Sequence, residues 1–390
     1  MIKVIKYIAL SFICTIFLQS CYDTDDEYMY DKGLYKIDWN AAADSATTTL
    51  IAHFWDTNKH YFVYDADQFE NAPTNNYWAQ AHAMDVVIDA YLRTGDKKYS
   101  DLFGLWFEGI KAQNYSNPGK NYRNDFYDDS EWIALTMLRL YETTKEQKYL
   151  DVAKDLMVWI ETGWNDLGGG GIAWERTSHQ ASKNACSNGP AAILAARLYQ
   201  QTKDKTYLEW AEKIYEWEKN NLFNQASGAV YDGMNGETGE VNTLSLSYNQ
   251  GTFLGAAHEL YKISGDATYL NDARKAALYG ITNSGNIDVS NNILRDEGTG
   301  DGALFKGIFM RYFTLFILDK DLDPTFANKF TTFLNSNANV LWRQGVNKTD
   351  VLFGSSWATP ALGTTQLTAQ ISGCTMIEAK AYYDKQTNNK

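Results

Sequence analysis

One pattern recurs four times in this chain and restricts the folds open to it. The first copy is Leu92-Arg93-Thr94-Gly95-Asp96-Lys97-Lys98-Tyr99, and the others run from Leu140 to Tyr149, Leu198 to Tyr207 and Leu260 to Tyr269. Each copy reads as a helix end, a short polar turn and a new helix opened by Tyr. The copies recur about every fifty to sixty residues, a spacing that marks a repeat architecture built from one supersecondary unit.

Apolar periodicity between these turns predicts helices at 37–57, 77–93, 97–112, 128–143, 147–162, 187–201, 205–220, 249–263, 267–281, 301–318, 323–337 and 358–385. Gly363 and Gly373 fall inside the last of these and weaken it. Connections alternate. Short turns follow residues 93, 143, 201, 263 and 318, and long ones cover 58–76, 113–127, 163–186, 221–248, 282–300 and 338–357. Antiparallel helices joined by short turns form hairpins. Six hairpins closing on themselves make an all-α, single-domain (α/α)6 toroid over residues 37–390. All short turns then lie at one end and all long loops at the other. Long loops in a compact domain are usually functional, so the functional face is expected there, at the N-termini of one ring of helices.

On that face sits Asn124-Asp125-Phe126-Tyr127-Asp128-Asp129-Ser130-Glu131-Trp132. Asp in a first helical turn commonly caps free amides and suits the positive end of the helix dipole. The second reading is a glycosidase pair. Retaining glycosidases hold two carboxyls roughly 5 Å apart, one as nucleophile and one as acid/base. Crowding two carboxylates between aromatic walls also raises one pKa, as an acid working near neutral pH requires. The spacing leaves the two roles unassigned between Asp128 and Asp129.

The same geometry nominates binders at other helix starts: Trp78, Gln80 and His82; Asn184 and Asn188; Tyr248, Asn249 and Gln250; Asp301 and Lys306; and Trp357. Tyr127 and Trp132 flank the Asp pair, and the long loops add Trp164, Trp174, Glu175, Tyr231 and Asp232. Amides, aromatics and a few acids suit a sugar, whose hydroxyls need fixed partners and whose apolar faces pack on rings. Each of these residues alone also has a structural reading, as core, turn or cap. The run Gly168 to Gly171 lacks the strand, spacing and Lys of a phosphate loop and reads as a flexible or close-approach loop. Trp39, Trp55, Trp106, Trp159, Trp210 and Trp217 fall on the other helices and read as packing.

The 390 residues carry a formal net charge of −13, which argues against nucleic acid as a partner and is compatible with a neutral substrate. Residues 1–20 read as a signal peptide, with Lys3 and Lys6 before the apolar run from Tyr7 to Leu18. Leu18-Gln19-Ser20-Cys21 resembles a bacterial lipobox, making Cys21 the expected lipidation site and this anchor the only expected membrane contact. Residues 21–36 form an acidic linker. Its run from Asp23 to Glu27 resembles the export signal of surface-displayed lipoproteins, a solvated linker being the other reading. Outer-membrane attachment facing the cell surface is expected, with a periplasm-facing alternative. Cys186 and Cys374 are placed on opposite sides of the ring, so no disulfide between them is expected. No Cys or His spacing suggests a metal site.

Several segments together resemble glycoside hydrolase family 76, the bacterial endo-α-1,6-mannanases. They are Tyr77-Trp78-Ala79-Gln80-Ala81-His82-Ala83-Met84-Asp85, Tyr127 to Trp132, Trp174-Glu175, Tyr248-Asn249-Gln250-Gly251 and Phe305-Lys306-Gly307. The resemblance implies the (α/α)6 fold, retention of anomeric configuration, no metal or cofactor, Asp128 as nucleophile and Asp129 as acid/base. It also implies that Asp232 contacts substrate. The expected partner is an α-mannan polysaccharide or oligosaccharide, and a monomer is expected. Two rival functions remain at this stage. One is a non-catalytic glycan-binding lipoprotein on the same scaffold, which has no need to crowd two carboxylates. The other is a different toroid enzyme, such as an unsaturated uronyl hydrolase or an epimerase, which needs the basic pocket or His cluster that the long loops lack.

Overall fold

The computed structural model describes residues 35–70 and 76–388; the expected signal peptide, Cys21 and nearly all of the acidic linker lie outside them. The described residues contain twelve α-helices: α1 (Trp39–Phe54), α2 (Tyr77–Thr94), α3 (Lys97–Gly109), α4 (Tyr127–Thr144), α5 (Gln147–Glu161), α6 (Gly189–Thr202), α7 (Lys205–Asn221), α8 (Ser247–Ser264), α9 (Ala267–Thr282), α10 (Gly302–Ile317), α11 (Pro324–Val340) and α12 (Leu367–Asn388). The even-numbered helices touch in order, and α12 closes back on α2 to complete an inner ring. The odd-numbered helices lie outside it, α3 on α2, α5 on α4, α7 on α6 and α9 on α8. This is the expected (α/α)6 toroid. Its sixth helix pair joins α1 to α12, so it is built from the two ends of the domain and has no connecting turn.

The repeated turn has one physical design. The last helical residue is Thr94, Thr144, Thr202 or Ser264, and its hydroxyl donates to the carbonyl four residues back. The same oxygen accepts the amide of the residue two positions on. Between them sits a left-handed residue, Gly95, Lys145, Lys203 or Gly265, which satisfies a terminal carbonyl. Asp96, Asp204 and Asp266 then cap the next helix by accepting an amide two residues ahead. Glu146, one methylene longer, makes no such cap bond. The Tyr that follows is fully buried at 99 and 149, buried at 207 and half-buried at 269.

The inner helices are buried on nearly every face, which small residues permit. A Cβ on Gly251 would sit 2.6 Å from Phe309 Cα, so α8 and α10 approach to backbone contact there. Gly373, inside α12, is glycine for a related reason, because the Phe353 ring occupies the space of its Cβ. The expected start of the last helix at 358 needs correction. Pro360 and Gly363, the latter at φ +78, keep 358–366 irregular, and α12 begins at Leu367.

The long loops carry short antiparallel strands that the helical reading does not anticipate. They are β1 (Trp55–Asp56) with β2 (Tyr61–Phe62), the sheet β3 (Ser182–Asn184), β4 (Gly233–Asn235) and β5 (Val241–Asn242), β6 (Ile287–Asp288) with β7 (Ile293–Leu294), and β8 (Val346–Asn347) with β9 (Leu352–Phe353). At the short-turn end, buried ion pairs join inner helices around a cavity of about 370 Å3. Arg93 pairs with Glu378, Arg139 with Asp85 and Asp89, Arg311 with Asp89, and Arg197 with Glu259. No helix among the described residues is long and apolar enough to cross a membrane. Cys186 and Cys374 are free.

Candidate active site

The loop before α4 is held by the loop before α6. Phe126 bridges Glu175, the Tyr127 amide donates to the Trp174 carbonyl at 3.1 Å, and Arg176 pairs with Asp125 at 2.8 Å. This clamp delivers the first turn of α4 to the long-loop mouth with Asp128 and Asp129 in it. Both carboxyls line a cleft of about 890 Å3. Trp78, Trp132, Trp174 and Tyr248 from the nominated set also line it, as do Asn184 and Asp232.

Burial drives the electrostatics. It pushes the Asp128 carboxyl up to about 6, while hydrogen bonding from Cys186, Trp174 and first-turn amides acts in the opposite direction. Asp129 is raised well above the carboxylate range, first by burial and then by the charge of Asp128. The Tyr115 hydroxyl donates to Asp129 Oδ1 at 3.3 Å and opposes that rise. One turn deeper, Glu131 is fully buried with neither oxygen partnered, and burial holds it neutral beside Asp128. Two carboxyls forced together thus divide into one that ionises first and one that keeps its proton longer.

The walls are fixed by their own contacts. Trp78 donates Nε1–H to Asp301 at 3.1 Å, and Tyr248 donates to Asp232 at 3.0 Å while packing on Phe305. His82 lies beneath the floor between Trp78 and Trp132, at 5.5 and 4.7 Å between ring centroids. Burial, with Arg311 and Arg139 nearby, lowers its pKa to about 3 against the pull of Asp85, so it is a neutral packing wedge.

Other nominated binders, Asn188, Tyr231 and Trp357 among them, stand away from the cleft. Gln80 is fully buried and bonds both the amide and the carbonyl of Phe62. Tyr127 turns outward to Thr162, with Gly163 against its ring. Asn249 is fully buried, and Gln250 donates to Val230 O and Ser245 Oγ. Lys306 is buried and donates to the Ser355 carbonyl at 2.7 Å. Gln80, Tyr127, Gln250 and Lys306 thereby secure loops or helix packing. Of the loop residues, Trp164 packs on Trp210, and Glu175 is bonded to Thr177 and His179. Conversely Tyr64, Tyr115, Phe126 and Phe305 line the cleft without having been nominated. Beyond the place of Phe305 in the Phe305-Lys306-Gly307 segment, their sequence signal is an aromatic ring on a mouth loop or in a first helical turn. Among the described residues no group of three or more His, Cys, Asp or Glu is placed to hold a metal ion.

Residues 38–390 match the family model described as Glycosyl hydrolase family 76. The chain is 28% identical over 281 residues to the mannan endo-1,6-alpha-mannosidase DCW1 of Saccharomyces cerevisiae, covering 67% of this chain and 62% of that one. A putative mannan endo-1,6-alpha-mannosidase of Schizosaccharomyces pombe is 25% identical over 211 residues, 50% of this chain and 48% of that one. The chain thus spans less than two thirds of these two curated relatives. Among solved structures it resembles the alpha-1,6-mannanase GH76A of Salegentibacter sp. HEL1_6, an inactive variant with two consecutive aspartates changed to alanine, in complex with alpha-1,6-mannotetrose. That match has 38% identity and a TM-score of 0.83, covering 89% of this chain and 100% of that one.

Proposed function

As the chain belongs to glycosyl hydrolase family 76, we propose that it is a retaining endo-α-1,6-mannanase that cuts the mannan backbone through a covalent glycosyl-enzyme. One observation carries the proposal: Asp128 and Asp129 together line an aromatic-walled cleft, with burial and mutual repulsion separating their proton affinities. In the similar Salegentibacter mannanase, the variant with two consecutive aspartates replaced is described as inactive.

In this mechanism ionised Asp128 attacks the anomeric carbon while Asp129 gives its proton to the departing glycosidic oxygen. Asp129 then takes a proton from water, which releases the sugar with its original configuration. Aromatic walls pack on sugar faces, and Asn184 and Asp232 offer polar partners to hydroxyls. The test is proton NMR of the first products from a linear α-1,6-mannan. Initial α-anomers support retention, initial β-anomers overturn it, and no new reducing ends favours a glycan-binding protein instead.

The paired pKa values set the pH response. Activity requires Asp128 ionised and Asp129 protonated, so kcat/KM should be bell-shaped, with its acid limb near 6 and its alkaline limb above that. Both limbs belong to the coupled pair. Tyr115→Phe removes a donor that favours ionised Asp129, so the alkaline limb should move to higher pH. A downward or absent shift would contradict the assignment. We extend the proposal to an outer-membrane lipoprotein anchored through Cys21, expected to incorporate a lipid label that Cys21→Ser loses.

A further inference from the structure

The cavity at the short-turn end is a second chamber of the ring. All six inner helices reach it: Asp85 of α2, Arg139 of α4, Arg197 of α6, Glu259 of α8, Arg311 of α10 and Glu378 of α12. It shares no lining residue with the catalytic cleft. The two are nevertheless close along the inner helices. Helix α4 gives Trp132 to the cleft and Leu135 to the cavity, and α10 gives Ile308 and Arg311, three residues or about 4.5 Å of helix rise apart in each case. The cavity volume of about 370 Å3 falls within the range of small-molecule sites, about 300–1,000 Å3.

Its charges are paired with one another. Six basic and five acidic side chains line it, so the balance is close to neutral. Arg93 bonds Asp44 and Glu378, Arg139 and Arg311 both meet Asp85 and Asp89, and Arg197 and Lys262 share Glu259. Lys385 donates to the Arg93 carbonyl. Charges paired in this way leave little excess to hold an anion or a cation. They do leave hydrogen-bonding capacity, because a paired guanidinium keeps further N–H donors and a paired carboxylate keeps lone pairs. Three hydroxyls join them, from Tyr312, Thr314 and Thr375, residues at most 5% exposed. Thr314 Oγ1 is buried with no hydrogen-bond partner, a group whose burial costs free energy until something bonds it. The Tyr382 ring, 43% exposed, adds a flat apolar face to the same lining.

We propose that this cavity is a second ligand site, separate from the catalytic cleft, for a neutral polyhydroxylated molecule of monosaccharide size. Each ligand hydroxyl can donate to a carboxylate and accept from a guanidinium or a protein hydroxyl without disturbing the ion pairs. A charged ligand would have to compete with a partner already in place. The assignment stands on the lining of this cavity and does not depend on the mannanase reading.

The test is calorimetric titration with three probes of one size: neutral methyl α-D-mannoside, anionic methyl α-D-glucuronate and cationic D-glucosamine. The proteins are the wild type, Ala379→Trp and Tyr312→Phe. Ala379 is a half-buried lining residue, so an indole there fills the cavity, and a melting curve checks the fold. The wild type should bind the mannoside in preference to either charged probe. Ala379→Trp should weaken that binding by about tenfold or more, and Tyr312→Phe, which removes one hydroxyl, by about threefold to tenfold. Hydrolysis of α-1,6-mannan should stay at the wild-type level in both variants, because neither residue lines the cleft. Equal mannoside affinity in all three proteins would place the sugar in the catalytic cleft and overturn the second site. Preference for a charged probe would overturn the ligand class, and absence of heat with every probe would overturn the site altogether. If Ala379→Trp fails to fold, Tyr312→Phe decides alone.

Discussion

Asp128→Ala should lower turnover of a linear α-1,6-mannan by about 10⁴-fold or more, as deleting a covalent nucleophile does. Asp129→Ala should lose about 10²–10⁴-fold, the usual contribution of a general acid. Neither loss should come from unfolding. Both carboxyls are held against their natural ionisation by burial, so removing either relieves a cost, and melting temperatures at neutral pH should stay level or rise. The two roles separate with an α-mannosyl fluoride extended by further α-1,6 units. Fluoride departs without a proton, so Asp129→Ala should regain its first step on this substrate, visible as fluoride release, while Asp128→Ala should not. Recovery by Asp128→Ala instead would exchange the assigned roles. Substantial mannan hydrolysis by either variant would remove the mechanism.

The hairpin turns are legible in the sequence because their chemistry is local. Thr94-Gly95-Asp96 and Ser264-Gly265-Asp266 hold a back-bonding hydroxyl, a left-handed residue and a cap in three consecutive positions. The Asp pair is legible for a related reason, since a first-turn position on an inner helix must lie at the mouth. Which neighbours face the sugar is a different matter. A helix buried on all sides has no polar stripe to mark its lumen face. On α2, Trp78 looks into the cleft, and Gln80, two residues and roughly 200° around the helix, looks away to Phe62. On α8 the same rotation separates Tyr248 from Gln250. Tyr115 was illegible because it lies on an irregular loop, where no period says what a side chain meets. The late start of α12 reflects a choice that propensity leaves open: Pro360 is allowed in a first helical turn, and here it stands in a loop.

At the other end of the ring, Arg139→Ala should destabilise the protein by about 3–5 kcal/mol, the usual result of breaking a buried ion pair on one side. Arg139 reaches from α4 to α2, bonding Asp85 and Asp89, and Arg311 from α10 meets the same two acids. Burial pushes the Asp85 carboxyl up, but Arg139 and Arg311 outweigh it and hold the group below its ordinary value. Deleting Arg139 leaves the buried Asp85 and the partly exposed Asp89 to one guanidinium. The sign of the pH dependence follows. A depressed carboxylate contributes stability above its unfolded pKa of about 3.9 and loses it as pH falls through the lower folded value. The gap between wild type and variant should therefore be widest near pH 7 and narrow below about pH 4, as Asp85 takes up its proton. Urea unfolding at pH 7 and at pH 3.5 measures both. A gap that ignores pH would mean that Arg139 acts by packing its stem rather than by its charge. A double variant, Arg139→Leu with Asp85→Leu, should recover much of the loss at pH 7, because it removes the unpaired charge together with its partner.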